Sequence, residues 1–378
     1  MQLADINPLG LGRFGPGTSE MVPVLEDGLK GGFAVGVAAD AGYDSNIFLS
    51  AEDPESEVLS ALSASITYLS DPEGGARVAL TATYAPSMRA YVNNTDLNGF
   101  DQRGDMSITF TGSKSTFSAY TKYNEIAGSD RLTGVFVDGM LINSGAVGSY
   151  QIAPRTTLFC GLSAAVSDYE TDDLVGAEIY SAELGAMWDA SERLRVGPSI
   201  RYSLATSDIT GDQNAWGFLV NAGYRAGQRI QLRGSLGLES AESSREGQNS
   251  ASNLTGDLSS TYGITERLSW ANAIRYATIP SPTESSFIQN LSVATALSRV
   301  LTWGTLSTGL DLNFSDYENI GTIATSRGLE RNIGVFLIYR REIISDRIDI
   351  QSKIRYAANE GLVDWNQLQV SLGLSVQF

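Results

Sequence analysis

The chain is predicted to be all-β: a single closed antiparallel transmembrane β-barrel of about 18 strands, with short periplasmic turns and longer extracellular loops. Three observations carry that prediction. Leu368, Val370, Leu372, Leu374, Val376 and Phe378 fall on one face of a period-2 strand, and Gln367, Gln369, Ser371, Gly373, Ser375 and Gln377 fall on the other. The same alternation recurs along the chain in runs long enough for a tilted strand to cross a bilayer. Between the runs, tight turns alternate with longer polar loops, a wiring that a soluble sandwich has no reason to produce.

Composition removes the competing classes. Mean hydropathy is -0.07 and no run of about eighteen apolar residues occurs, which excludes a helical membrane protein. A barrel looks this bland because each lipid-facing residue is diluted by a lumen-facing neighbour. The 378 residues would fit two or three soluble domains or one large barrel, so length alone does not decide. A formal net charge of -17 argues against nucleic acid as a partner, because phosphate binding needs clustered Lys and Arg in excess.

Cys160 is the one cysteine, so neither an intrachain disulfide nor a multi-cysteine zinc site can form. It shares a strand face with Leu158, Leu162, Ala164 and Val166 and reads as a small apolar residue. Histidine is absent, which removes the Ser-His-Asp and Cys-His constellations, histidine metal sites and the commonest neutral-pH base. No catalytic residue, metal site or cofactor is therefore expected. Residues 1–30 show no basic segment followed by an apolar run, so any export signal is expected to have been removed already.

In chain order, residues 1–31 are rich in Gly and Pro without a period and read as an N-terminal periplasmic or lumen-inserted segment, ahead of a barrel over 32–378. The first strand, 32–43, leads through the polar Ser50–Glu55 loop to 56–69, which stops at Asp71-Pro72-Glu73-Gly74-Gly75. Strands 76–91 and 98–111 end at Ser113-Lys114. Strands 115–127 and 138–151 flank the Ser129–Val137 loop and end at Ala153-Pro154, and 155–169 and 174–188 end at Ala190-Ser191. Strands 192–206 and 213–225 end at Gly227; 228–241 and 250–263 straddle Ser243–Asn249 and end at Thr265. Strands 266–279 and 285–298 end at Val300, 301–314 and 327–341 straddle Asp316–Ser326 and end at Ile343-Ile344, and 345–358 and 362–378 finish the series. An even count puts both termini on the periplasmic side and lets the first strand pair with the last.

Several odd strands open on a charge followed by an apolar residue, as in Glu192-Arg193-Leu194, Gln228-Arg229-Ile230, Glu266-Arg267-Leu268 and Asp346-Arg347-Ile348. This repeats one hairpin unit. The lipid face then includes Val78, Leu80, Ala82 and Tyr84; Leu194, Val196, Ile200 and Tyr202; Ile230, Leu232, Leu236 and Leu238; Leu268, Trp270, Ile274 and Tyr276; and Ile333, Val335, Leu337 and Tyr339. Tyr and Trp toward the row ends fit two interfacial belts.

The opposite parity collects cations: Arg77, Arg89, Arg155, Arg193, Arg195, Arg201, Arg229, Arg233, Arg267, Arg275, Arg347, Lys353 and Arg355. On a lipid-facing midplane each would cost about 2 to 4 kcal/mol, so they are assigned to the lumen. Acidic residues concentrate in the presumed loops, at Asp44, Glu52, Asp53, Glu55, Glu170, Asp172, Asp173, Glu242, Glu246, Asp316 and Glu318. The lumen arginines either pair across strands with Asp101, Asp105, Glu183 and Asp257 or form a basic path for an anionic solute or polymer. Both readings stay open here. Eighteen tilted strands imply a backbone diameter of about 35 Å, so an inward loop or the 1–31 segment is expected to narrow the lumen.

At Gly42-Tyr43-Asp44-Ser45-Asn46-Ile47-Phe48, followed by a polar loop and an even strand series ending on Phe378, the chain resembles the putative outer-membrane β-barrel "porin 2" family. The resemblance implies a Gram-negative outer-membrane barrel, often associated with exopolysaccharide secretion. From the residues themselves, Asp44 and Asn46 read as turn caps, with Ile47 and Phe48 anchoring the loop base on apolar surface. The leading functional reading is a conduit for a secreted polysaccharide, with Phe159, Trp303 and Phe336 stacking on sugar rings. The alternatives are a diffusion porin for small solutes and a non-conducting structural or anchoring barrel. Expected partners are outer-membrane lipid, a periplasmic polysaccharide-export protein, and the barrel-assembly machinery, whose recognition signal the terminal Phe378 resembles.

Overall fold

The computed structural model describes residues 32–70, 77–130, 135–171, 176–206, 212–243, 251–280, 287–318, 329–344, 347–361 and 364–378. The expectations for 1–31, for the Asp71–Gly75 turn and for Asp172, Asp173 and Glu246 lie outside the described residues. The strands are β1 (Gly32–Asp44), β2 (Glu57–Leu69), β3 (Val78–Tyr91), β4 (Gly99–Thr111), β5 (Ser115–Asp130), β6 (Val135–Ala153), β7 (Thr156–Tyr169), β8 (Ala177–Asp189) and β9 (Leu194–Thr206). They continue as β10 (Gln213–Ala226), β11 (Ile230–Ser243), β12 (Ala251–Thr265), β13 (Leu268–Pro280), β14 (Phe287–Leu301), β15 (Gly304–Glu318), β16 (Leu329–Ile344), β17 (Ile348–Glu360) and β18 (Trp365–Gln377).

Each strand pairs antiparallel with its sequence neighbours, and β1 also pairs with β18, so the 18-stranded sheet closes. At the seam Val37 opposes Val376, and Tyr43 opposes Val370. The Phe378 N–H donates to the Val35 carbonyl at 2.8 Å, which satisfies backbone groups that an open edge would leave bare. The C-terminal alternation thus sits where it was predicted, as the closing strand.

Register fixes the two faces. Phe218 opposes Ile200 and Leu238, and Val335 opposes Leu310 and Tyr356, so the outer wall is a continuous apolar surface. Of these, Phe218, Ile200, Leu238, Val335 and Tyr356 are exposed to the surroundings and Leu310 is half-buried, and together with their neighbours they make an apolar area far beyond the patch a water-soluble monomer tolerates. The outer rings carry polar tips that find partners. At the loop end Tyr123 donates to Glu125, Tyr180 to Glu178, Tyr202 to Asn214 and Tyr276 to Gln289, and at the turn end the Trp270 Nε1–H donates to Thr295. The inner wall is built differently, from small hydroxyl residues zipped across strands, as at Thr67 and Thr83 (3.0 Å) and at Ser298 and Ser307 (2.8 Å). One-residue register slips would exchange these faces, so the alternation holds the pairing in place.

Most connections after even strands are tight, as at Pro154-Arg155, Glu266-Arg267 and Thr302-Trp303. Gly227 turns β10 into β11 at φ 65°, a backbone conformation that favours glycine. The β5–β6 hairpin is the longest, with strands of 16 and 19 residues, and Phe136 near its loop end packs against Ile47, Leu59 and Tyr91.

Candidate pore lining and constriction

At the loop end the chain leaving β1 folds back over the inner wall. Asp44, fully buried, accepts hydrogen bonds from Gln367 Nε2 (2.8 Å), Gln369 Nε2 (3.0 Å) and the Asn46 N–H (2.9 Å). Asn46 in turn donates through Nδ2 to the Ser50 and Asn366 carbonyls and accepts from the Ser50 N–H. These bonds tie the loop base to β18 across the seam. Asp44 therefore belongs to β1 as a buried acceptor and not to an exposed acidic loop, which corrects the sequence expectation. The capping roles of Asp44 and Asn46 match the reading of that motif.

The loop base packs its apolar side chains against the inner wall beside the mouth. Ile47 packs on the inward Leu59 and Tyr91, beside Phe48, Leu97 and Phe136, while Leu49 packs on Ala357 and Trp365. Leu49 takes a φ of 55°, a left-handed conformation that costs about 1–2 kcal/mol for a residue with a side chain and persists only where packing compensates. Phe136, at the start of β6, meets the Phe48 ring at 6.1 Å and the Tyr91 ring at 6.5 Å. The β1–β2 loop and β6 thus meet on the same side of the mouth. Glu57, the cross-strand partner of Asp44, fixes the adjoining edge: its buried carboxylate accepts N–H groups from Val58, Val92, Asn93 and Asn94 and the Asn94 Nδ2.

Below this mouth the inner wall is charged, and many charges are paired. Arg89 pairs with Asp101 at 2.5 Å and lies 5.6 Å over the Tyr91 ring. Arg103 pairs with Asp105 at 3.3 Å and Arg201 with Glu183 at 3.1 Å; Arg275 stands opposite Asp257 across the β12–β13 ladder. All four predicted acids thus face cations. Arg355, 2% exposed, reaches past β16 to Asp311 at 2.9 Å. The step is open because Gly334, between them on β16, has no Cβ; one placed there would sit 2.5 Å from the Asp311 carboxylate.

Of the predicted lumen residues, Arg89, Arg195, Arg201, Arg233, Arg275, Lys353 and Arg355 lie within strands on the inward parity, whereas Arg77, Arg193, Arg229, Arg267 and Arg347 lie in the turns immediately before odd strands. Sequence reading missed Arg103, Lys122, Arg225 and Arg340, which sit on even strands or late in a run, and it missed Glu57, whose partners are some 36 residues away. The expectation that inward aromatics stand free for stacking is corrected. Phe159 and Phe336 are buried, lying on the wall over their cross-strand partners Gly185 and Gly309, where a missing side chain makes room for the ring. Trp303 sits in the β14–β15 turn against Tyr339, with ring centroids 5.2 Å apart. Gly309→Val should lever the Phe336 ring off the wall, cost about 1–3 kcal/mol in urea titration and reduce single-channel conductance.

No family model matches the chain, and neither does any curated protein. Among solved structures, it is similar in fold to OpdK of Pseudomonas aeruginosa with vanillate, at 12% identity over 92% of this chain and 99% of that one, with a TM-score of 0.51. A second structure of that protein, OccK1 (OpdK), matches at 14% identity over the same shares, also with a TM-score of 0.51. The common feature is the closed 18-stranded antiparallel barrel.

Proposed function

We propose that this chain is a bacterial outer-membrane pore that passes small solutes passively, with both termini and the short turns on the periplasmic side. The observation that carries the reading is the division of the closed sheet into an apolar outer wall and a charged, hydroxyl-rich inner wall. An apolar exterior belongs in lipid, and a wall of ionised groups is stable there only beside water. The likeness in fold to OpdK supports it, and the vanillate of that structure suggests small carboxylates as a first solute class to assay. Polysaccharide export is the weaker reading, because Phe159 and Phe336 lie flat against the wall and present no ring for stacking on sugars. Outer-membrane lipid and the barrel-assembly machinery are the partners this reading requires.

Reconstitution tests it. Purified protein in planar bilayers is expected to give stable conductance steps, and in liposomes to admit monosaccharides and vanillate while excluding long oligosaccharides. A barrel that inserts but passes neither ions nor solutes would instead support the anchoring role.

A further inference from the structure

Seven of the eight short turns carry a cation at one structural position. Arg77, Arg155, Arg193, Arg229, Arg267 and Arg347 each stand just before an odd strand, and Lys114 takes the same place before β5; the β14–β15 turn has Trp303 instead. Backbone hydrogen bonds show that the equivalence is geometric. The carbonyl of each cation accepts an N–H from the final residues of the following even strand, from Thr111, Gln151, Asp189, Arg225, Gly263, Val300 and Gln377 in turn, at 2.7 to 2.8 Å. These carbonyls therefore close the same rung of seven ladders, and the seven residues stand in register around the short-turn rim.

Their parity is inward. Each is followed by a residue of the outer parity, apolar at Val78, Leu194, Ile230, Leu268 and Ile348, so the cation falls on the water side of the rim and not among lipid headgroups. All seven are exposed, and among the described residues none stands in an ion pair. Of the inward acids at this end, Asp189 pairs with Arg195 at 2.6 Å and Asp349 with Arg340 at 3.0 Å, while Glu342 stands opposite Asp349 on β16 as an acid among the cations. Glu192 and Glu266, beside two of the cations, fall on the outer parity. Two strand spacings at the usual tilt put neighbouring cations about 12 Å apart along the rim, close to the Debye length of about 10 Å at 0.1 M salt. Along the arc from Arg77 to Arg267 their potentials merge at low salt and separate at high salt, and the arc is interrupted at the β14–β15 turn and at the β18–β1 seam.

We propose that this basic arc is an anion-selecting filter at the short-turn mouth, recruiting small anionic solutes such as carboxylates and phosphates. The proposal rests on the pore reading above. The arc concentrates anions at one end of the lumen while remaining solvated, so each contact is weak enough for release. The acids of the opposite mouth, such as Glu52, Asp53 and Glu55, make the field along the axis asymmetric.

The test is the reversal potential of the full chain in planar bilayers under a tenfold KCl gradient. Wild type is expected to prefer chloride, and the triple variant Arg193→Glu, Arg229→Glu, Arg267→Glu to lower the chloride-to-potassium permeability ratio about threefold or more. The triple lysine variant at those positions should retain wild-type selectivity. A wild-type measurement guards against misfolding of the variant: raising the mean salt from 0.03 to 1 M, about a threefold to tenfold shortening of the screening length, should erase most of the preference. Conductance without anion preference, or preference unmoved by both the glutamates and the salt, overturns the filter and leaves the pore. Absence of conductance in wild type overturns both.

Discussion

Asp44→Ala is expected to lower the unfolding free energy of the barrel by about 3–5 kcal/mol and to widen the loop-end mouth. The carboxylate gathers three buried donors, from Gln367, Gln369 and the Asn46 backbone, and without it each is left unsatisfied at a cost of about 1–3 kcal/mol, eased partly by lumen water. Two consequences follow from where those donors lie. Gln367 and Gln369 are on β18 and Asn46 is on the β1–β2 loop, so the loss loosens the closing seam and the Ile47–Leu49 segment together. Leu49, held at φ 55° by that packing, should relax out of the left-handed region. Urea titration followed by heat-modifiable gel mobility reads the stability, and bilayer recording reads the mouth as larger, noisier conductance steps. Asp44→Asn, which keeps one acceptor oxygen, should lose about half as much. Equal stability and conductance in Asp44→Ala and wild type would show that apolar packing alone holds the loop.

The barrel was legible in the sequence because a closed sheet with an apolar outer wall and a polar inner wall imposes one alternation on every strand. All eighteen predicted strands are present, with ends shifted by no more than four residues, and the parity that named Leu236 as outward and Arg233 as inward is the parity of the ladders. What period-2 reading cannot reach is contact between strands that are not neighbours and the folding of loops. Glu57 looks like an ordinary strand opening until Asn93 and Asn94 are brought back over it. Phe159 and Phe336 have the right parity for a lumen face, but only the register sets them opposite Gly185 and Gly309 and so lays them on the wall. The Tyr43–Phe48 motif signalled a corner correctly, whereas its reach to Gln367 and Trp365 follows from closure of the seam. The rim cations show an intermediate case: the repeated charge-then-apolar opening was visible, and the backbone ladder supplied their common height.

Asp311→Ala is expected to cost about 3–5 kcal/mol, because it removes a carboxylate from beside Arg355, a guanidinium that is 2% exposed. The pair spans two ladders, with Asp311 on β15 opposite Gly334 on β16 and Arg355 on β17, so it braces three strands where backbone bonds join only adjacent ones. If the cost arises from stranding a buried charge, adding Arg355→Met to Asp311→Ala should recover most of it, since a methionine fills similar volume without needing a counter-ion. Gly334→Val supplies the steric counterpart. It keeps both charges yet occupies the space through which Asp311 reaches Arg355, and it should approach the loss seen in Asp311→Ala. A double variant no more stable than Asp311→Ala would instead place the cost in local packing around Asp311. A Gly334→Val protein as stable as wild type would show that the two charges meet by another path, and that the open position on β16 is not what brings them together.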